Sequence, residues 1–217
     1  MTERGRTGGR LPVPRSVLRR LAAVLLSVCL GGTVGAAEPP IDGATAAVRS
    51  TLDKATRIGS DDGTRDHQLA SLRSVARELV DTRTMGRRAI GERFAGYTTA
   101  QQDEFLALFD ELIVRSYLQK LLLFRDPKFR FGKEEHRGAG VFVETEVVTD
   151  KDSYQVGYEM QHEGDRWLAT DIIVEGVSLT SNYSNQFASL LRDRSFDDLL
   201  DLMRRKVDHF SAKDAPQ

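Results

Sequence analysis

Four short runs rich in aromatic and β-branched residues follow one another between Lys128 and Val174, and they limit the fold more than any other feature of the chain. They are Lys128 to Phe131, Val141 to Thr149, Ser153 to Gln161 and Trp167 to Val174. The stretches between them, His136 to Gly140, Asp150 to Asp152, and Glu163 to Asp165 around Gly164, carry hairpin residues. Strands joined this way are antiparallel. In the second run Val141, Val143, Thr145 and Val147 alternate with Phe142, Glu144 and Glu146; in the third, Tyr154, Val156, Tyr158 and Met160 alternate with Gln155, Glu159 and Gln161. Successive strand side chains point to opposite faces, so the sheet has one apolar and one polar face. The fourth run has no clean alternation and leaves open whether Ile172 and Val174, or Ala169 and Ile173, face inward.

Helical spacing fills the chain before the sheet. After Pro39-Pro40, Ile41, Thr45, Val48 and Leu52 follow it, and the pattern stops near Ile58-Gly59. From Asp66, Leu69, Leu72, Ala76 and Leu79 define a second helix that leaves Arg73, Arg77 and Glu78 to water. Met85, Ala89 and Ile90 suit a short third helix closed by Gly91. Thr98 with Gln101, or Thr99 with Gln102, opens the longest helix as a capping box. Its main stripe is Phe105, Leu108, Phe109, Leu112, Ile113, Tyr117, Leu121 and Phe124, and a second line adds Leu106, Val114, Leu118 and Leu122. A helix apolar on more than one side is either sandwiched in a core or lines a cavity. Asp126-Pro127 ends it. Further on, Ser195 and Asp198 can cap a helix carrying Phe196, Leu199, Leu200, Met203 and Val207, and the tail 211–217 reads as frayed. The expected fold is α+β: a twisted four-stranded antiparallel sheet packed against a set of helices enclosing an apolar cavity.

The end of the sheet is the most informative stretch. Trp167 to Val174 reads as a strand, Glu175-Gly176 breaks it, and Ser178, Thr180 or Ser181 supplies an oxygen to the N–H groups of a following helix. That helix places Leu179, Tyr183 and Phe187 on one line. The segment resembles the end of the sheet in the MlaC family, also called the toluene-tolerance or HpnM-like family of periplasmic lipid-binding proteins. Trp167, Asp171, Gly176 to Leu179, Asn182-Tyr183 and Gln186-Phe187 stand at the family's positions, with Ser184 where the family often has arginine. Ile90-Gly91, Thr99, Gln102, Phe105, Phe109 and Tyr117 resemble its helical pattern, so the likeness spans roughly residues 70–207.

The resemblance implies a carrier rather than an enzyme, working without a cofactor. It would hold the acyl chains of a phospholipid in the cavity. Its partners would be an inner-membrane ABC transporter complex, with its periplasmic substrate-binding subunit, and an outer-membrane lipoprotein/porin assembly. Such shuttling serves outer-membrane lipid asymmetry. Some relatives are associated with hopanoids, which makes a polycyclic lipid the alternative cargo. The expected lining is Ile113, Tyr117 and Leu121 from the long helix, and Val141, Val143 and Val147 from the second strand. Val156, Tyr158 and Met160 from the third strand complete it, with Ile172, Val174 and Val177 from the last strand and its turn.

The N-terminus fits such a destination. Six arginines precede an apolar run, Leu21 to Leu30, and a small-residue stretch ending at Ala37. This order is that of a cleaved secretory signal over residues 1–37, with cleavage after Ala36 or Ala37. A lipoprotein signal using Cys29 fits less well, since Val28 is bulky and Cys29 sits within the apolar run. Without residues 1–37, which hold six basic side chains and one acid, 25 basic and 31 acidic side chains remain, a net charge of −6. An acidic protein is a poor nucleic-acid partner. Cys29 is the single cysteine, so the remainder has no disulfide, thiolate nucleophile or cysteine-ligated metal. The expected product is a periplasmic monomer with one lipid-binding domain over 38–210: helices about 41–125, sheet about 128–174, and C-terminal helices about 178–210.

Other chemistries leave thin traces. His67, His136, His162 and His209 are scattered and lack zinc-motif spacing, Glu134-Glu135-His136 reads as a charged loop, and Ser178 is better explained as a cap than as a nucleophile. Asp171 is the one carboxylate in an apolar strand. It is either tied structurally to an arginine or backbone N–H, or the general base of a cofactor-free isomerase or hydrolase with Tyr158 as its partner. An interaction module with a solid core is the third possibility.

Overall fold

The computed structural model describes residues 42–121 and 127–214. The N-terminal stretch read above as an export signal, Ile41, Leu122, Phe124 and Asp126 lie outside the described residues, as do the side chains of Leu118 and Leu121. The helices before the sheet are α1 (Asp42–Gly59), α2 (Arg65–Leu79), α3 (Thr82–Ile90) and α4 (Thr99–Leu121), with a short 3-10 turn at Gly91–Gly96. The strands β1 (Lys128–Arg137), β2 (Gly140–Val148), β3 (Ser153–Glu163), β4 (Arg166–Val174) and β5 (Val177–Ser178) follow, then α5 (Leu179–Leu190) and α6 (Phe196–Asp214). The class is α+β as the patterns predict.

Local chemistry sets the boundaries. Thr64 caps α2, and Gly91, at φ 71°, closes α3 in a conformation a side chain would disfavour. The capping box of α4 is the Thr98–Gln101 pair, in which each residue's N–H reaches the other's side-chain oxygen. Gln102 instead donates to the carbonyls of Phe94 and Tyr97. Ser195 and Asp198 form the same reciprocal box before α6. That helix runs on to Asp214, past the point where fraying was expected, and Val207 and Phe210 pack against the core.

The two apolar sides of α4 have different partners. Phe105, Phe109, Leu112 and Ile113 form a buried cluster with Met85 and Ala89 of α3, Leu179 and Phe187 of α5, and Leu199, Leu200 and Met203 of α6. Val114 meets Leu72 of α2 on another side. Arg73 and Arg77, assigned to water above, instead pair across to α4. Arg77 bonds Asp110 and lies 3.2 Å from Glu111, and Arg73 lies 3.8 Å from Glu111. The Arg77 side chain stays 47% exposed, so it keeps water on one side while its guanidinium meets the carboxylates of α4 on the other.

The sheet differs from the expectation in three ways. It has five strands in the order β1-β2-β3-β4-β5, each antiparallel to the next. The fifth is only Val177–Ser178, reached through Glu175 (φ 50°) and Gly176 (φ 76°), the two left-handed residues of a tight hairpin. Glu175 is held there by Gln155, whose N–H donates to its carboxylate at 2.6 Å. Second, β1 extends to Arg137, so Glu134, Glu135 and His136 lie on a strand and not in a loop. A bulge between Phe131 and Glu134 resets its register, which hid the strand's continuation. Third, a bulge in β4 explains the missing alternation, as developed below.

Candidate functional site

Cross-strand partners share a face, so the register divides the apolar side of the sheet into rows. One row is Val141, Met160 and Ala169; the next is Val143, Tyr158 and Ile172. A third runs Phe131, Thr145, Val156, Val174 and Val177, and a fourth is Phe129, Val147 and Tyr154. The fourth strand therefore turns Ala169, Ile172 and Val174 to one side, a combination that strict alternation forbids. Met160 pairs with Ala169 while Glu159 pairs with Asp171, leaving Thr170 as the extra residue that flips the pattern.

Coverage is uneven along these rows. Ala44, Val48 and Leu52 of α1 cluster with Val141, Val143, Tyr158, Met160, Trp167 and Ala169, so the first two rows meet a helix. Trp167 lies so close to the start of α1 that a methyl group on Gly43 would sit 2.5 Å from its Nε1. In the third and fourth rows Thr145 and Val147 are buried, but Phe129, Phe131, Tyr154, Val156 and Val174 are half-covered and Val177 is 41% exposed. Ile113 and Tyr117 belong to the helical cluster around α4, and Ile172 packs against both clusters. The seam between sheet and helices thus passes Ile172. Leu121 adjoins the same end of α4 in sequence, with its side chain outside the described part.

Hydroxyls punctuate this seam. Tyr158 is buried, which pushes its pKa up to about 12, partly opposed by a hydrogen bond with Thr145. Burial also raises Tyr117 to about 12, with the nearby Tyr183 adding to the effect. Tyr183 is raised by burial too, against a hydrogen bond with Ser116. A tyrosine whose folded pKa lies above its unfolded value near 10 contributes stability that is complete below pH 10 and is lost as pH climbs through 12. We therefore expect alkaline unfolding between these limits, with Tyr158→Phe losing less stability than wild type across that window. Tyrosinate absorbance against pH, read beside circular dichroism, checks this; ionisation of all tyrosines near pH 10 with the fold intact would contradict it.

Asp171 lies on the opposite side of the sheet from Tyr158, since it pairs with Glu159 while Tyr158 pairs with Ile172. Its carboxylate accepts from the N–H of Ile172 at 2.8 Å, from the N–H and hydroxyl of Thr180 at 3.0 and 2.9 Å, and from the Ser178 hydroxyl. Ser178 in turn accepts from the N–H of Ser181 as the cap of α5. The group ties β4 to the start of α5, and it cannot act with Tyr158 as an acid–base pair. The partner is a set of backbone and hydroxyl donors rather than an arginine.

The remaining candidates do not converge. All four histidines are exposed, on separate elements, and among the described residues no group of His, Cys, Asp or Glu could hold a metal ion. Glu134 turns toward α1, where Thr45 donates to it. Of the surface grooves among the described residues, one runs along α1 at Arg49 and Asp53 and another lies beside Asp81, Leu106 and Leu168; the apolar rows line neither of these. The rim residues Phe129 and Phe131 were not among the expected lining. Their alternation with Lys128 and Arg130 was the available signal.

Two comparisons bear on this arrangement. The family model described as MlaC protein matches residues 45–205. Among solved structures, a phospholipid-binding protein from Ralstonia solanacearum, determined in complex with a phospholipid, superposes with a TM-score of 0.70. The two are 20% identical, and the match covers 77% of this chain and 98% of the other.

Proposed function

The chain belongs to the MlaC family, and from that premise we propose that it is a periplasmic carrier that binds the acyl chains of a phospholipid. The lipid sits at the seam between the sheet's apolar rows and α4, and the carrier moves it between transport complexes of the inner and outer membranes. The observation that carries this reading is the uneven cover of the sheet. One end is sealed by α1 over Val141 and Val143, while Val156, Val174 and Val177 form an apolar strip that the helices cover only in part. The strip and Ile172, Ile113 and Tyr117 supply the tail contacts, and Val147, Tyr158 and Met160 form the wall behind them.

The energetics explain why such a strip is useful. A phospholipid's two tails hold on the order of 30 methylenes, each costing about 0.8 kcal/mol in water. A lipid therefore leaves a bilayer slowly unless a dry surface receives it. No bond is made or broken, so the carrier needs no base or nucleophile, in keeping with an Asp171 fully engaged in holding α5. The partners are an inner-membrane ABC transporter complex with its periplasmic substrate-binding subunit and an outer-membrane lipoprotein/porin assembly.

Transfer between membranes tests this directly. The protein without residues 1–37 should accelerate movement of a fluorescent phospholipid from donor to acceptor vesicles in proportion to its concentration. Transfer no faster than in buffer would count against a carrier.

A further inference from the structure

We infer that Arg88 is the positioning residue of this site: by holding the β4 bulge at Thr170, it decides which side chains of the last strand face the lipid. The inference rests on the carrier reading above. On its outer edge β4 has two backbone neighbours with a gap between them. Asp81 N–H donates to the carbonyl of Ala169 at 2.9 Å, and Val80 bridges to the same residue. Beyond the bulge, β5 pairs from Ile173 onward. Thr170 falls between the two.

Arg88 of α3 fills that gap. Its guanidinium donates to the Thr170 hydroxyl at 3.0 Å and to the Thr170 carbonyl at 3.4 Å. Thr170 is itself 1% exposed, and its hydroxyl donates to the carbonyl of Glu159 at 3.3 Å. A bulged residue leaves the ladder, and its carbonyl then needs a donor from elsewhere. An arginine arriving from a helix supplies two N–H groups in a fixed fork and remains charged at any working pH.

The bulge has a chemical consequence. Were β4 regular beyond the Met160–Ala169 pair, Tyr158 would face Asp171, and Val156 would face Ile173. The carboxylate would then enter the apolar row, and Ile172 and Val174 would turn to the polar side. With the bulge, Tyr158 faces Ile172 and Val156 faces Val174. The hydrogen bonds that Arg88 sends to β4 end on Thr170, and it is through Thr170 that Arg88 acts on the site.

The test compares Arg88→Met, which keeps the stem and removes the donors, with Arg88→Lys, which keeps a cation. Both are made in the protein without residues 1–37, purified natively, and read by extracted lipid per folded chain and by side-chain NOEs to Tyr158. Arg88→Met should lose about fivefold or more of its lipid, the size expected for losing charged hydrogen bonds, with the Tyr158–Ile172 contacts replaced or weakened. Arg88→Lys should keep more lipid than Arg88→Met. A helix anchor with no role in register would change melting temperature alone. Folded Arg88→Met with wild-type lipid content and intact Tyr158–Ile172 contacts overturns the inference. If that variant yields no folded protein, Thr170→Val, which removes the hydroxyl partner at similar volume, takes its place, and unchanged lipid there is equally adverse. Wild-type protein without lipid would strike the carrier reading itself, whereas loaded wild type beside equally loaded Arg88→Met strikes only the role of Arg88.

Discussion

Val143→Arg should lose most of its folding stability, while Glu144→Arg, its immediate neighbour, should purify folded and retain its lipid. Val143 is 1% exposed and clustered with Val48 and Leu52 of α1, Tyr158 and Met160. Replacing it removes about 1.5–3 kcal/mol of apolar burial. The guanidinium adds several kcal/mol more, unless it drives α1 off the sheet and admits water. Against a total stability of about 5–15 kcal/mol for an ordinary domain, that change is decisive. Glu144 pairs with Gly157 on the other face, beside the open backbone of Gly132. A reversed charge there should alter stability by about 0.5 kcal/mol or less. Chemical denaturation of both variants checks the contrast. Equal stability in the two would mean that α1 does not seal this part of the sheet.

Asp171→Ala should cost about 3 kcal/mol, because hydrogen bonds to a charged group contribute more than neutral ones and the donors left behind are partly buried. The loss has an asymmetry that makes it diagnostic. One carboxylate oxygen, Oδ1, accepts from Ile172 and from both donors of Thr180, while Oδ2 accepts only from the Ser178 hydroxyl. Asp171→Asn can keep its carbonyl at the first position and donate its amide to Ser178 at the second. We expect it to lose about 1 kcal/mol, and to keep its lipid, since the group lies across the sheet from Tyr158. Thermal melts distinguish the two substitutions. A folded Asp171→Asn protein emptied of lipid would place the residue at the ligand instead.

Much of this architecture is legible in the residues, and the parts that are not share a cause. Period-two alternation identifies the inward faces of β2 and β3 because one side of each is wet, and reciprocal caps such as Ser195 with Asp198 mark helix starts by local chemistry alone. The bulge at Thr170 is different: it depends on Arg88, far away in sequence, supplying the donors that the ladder withdraws. Likewise the continuation of β1 through Glu134 depends on Thr45 and on register with β2. The ion pairs of Arg73 and Arg77 depend in the same way on α4 lying beside α2. β5 is two residues long, below the length at which alternation carries information. For the site, pattern alone places Val156 and Val174 among apolar residues but cannot tell their partial cover from the complete cover of Val141, because that difference is made by which rows of the sheet α1 lies against.

That the apolar strip beside Ile172 receives lipid tails is the premise on which the proposed function stands. Its most direct test is organic extraction and mass spectrometry of the natively purified protein, without residues 1–37 and never exposed to detergent. A stoichiometric amount of diacyl phospholipid is the expected result. Folded, monomeric protein that yields no lipid, and takes none from phospholipid vesicles, would contradict it.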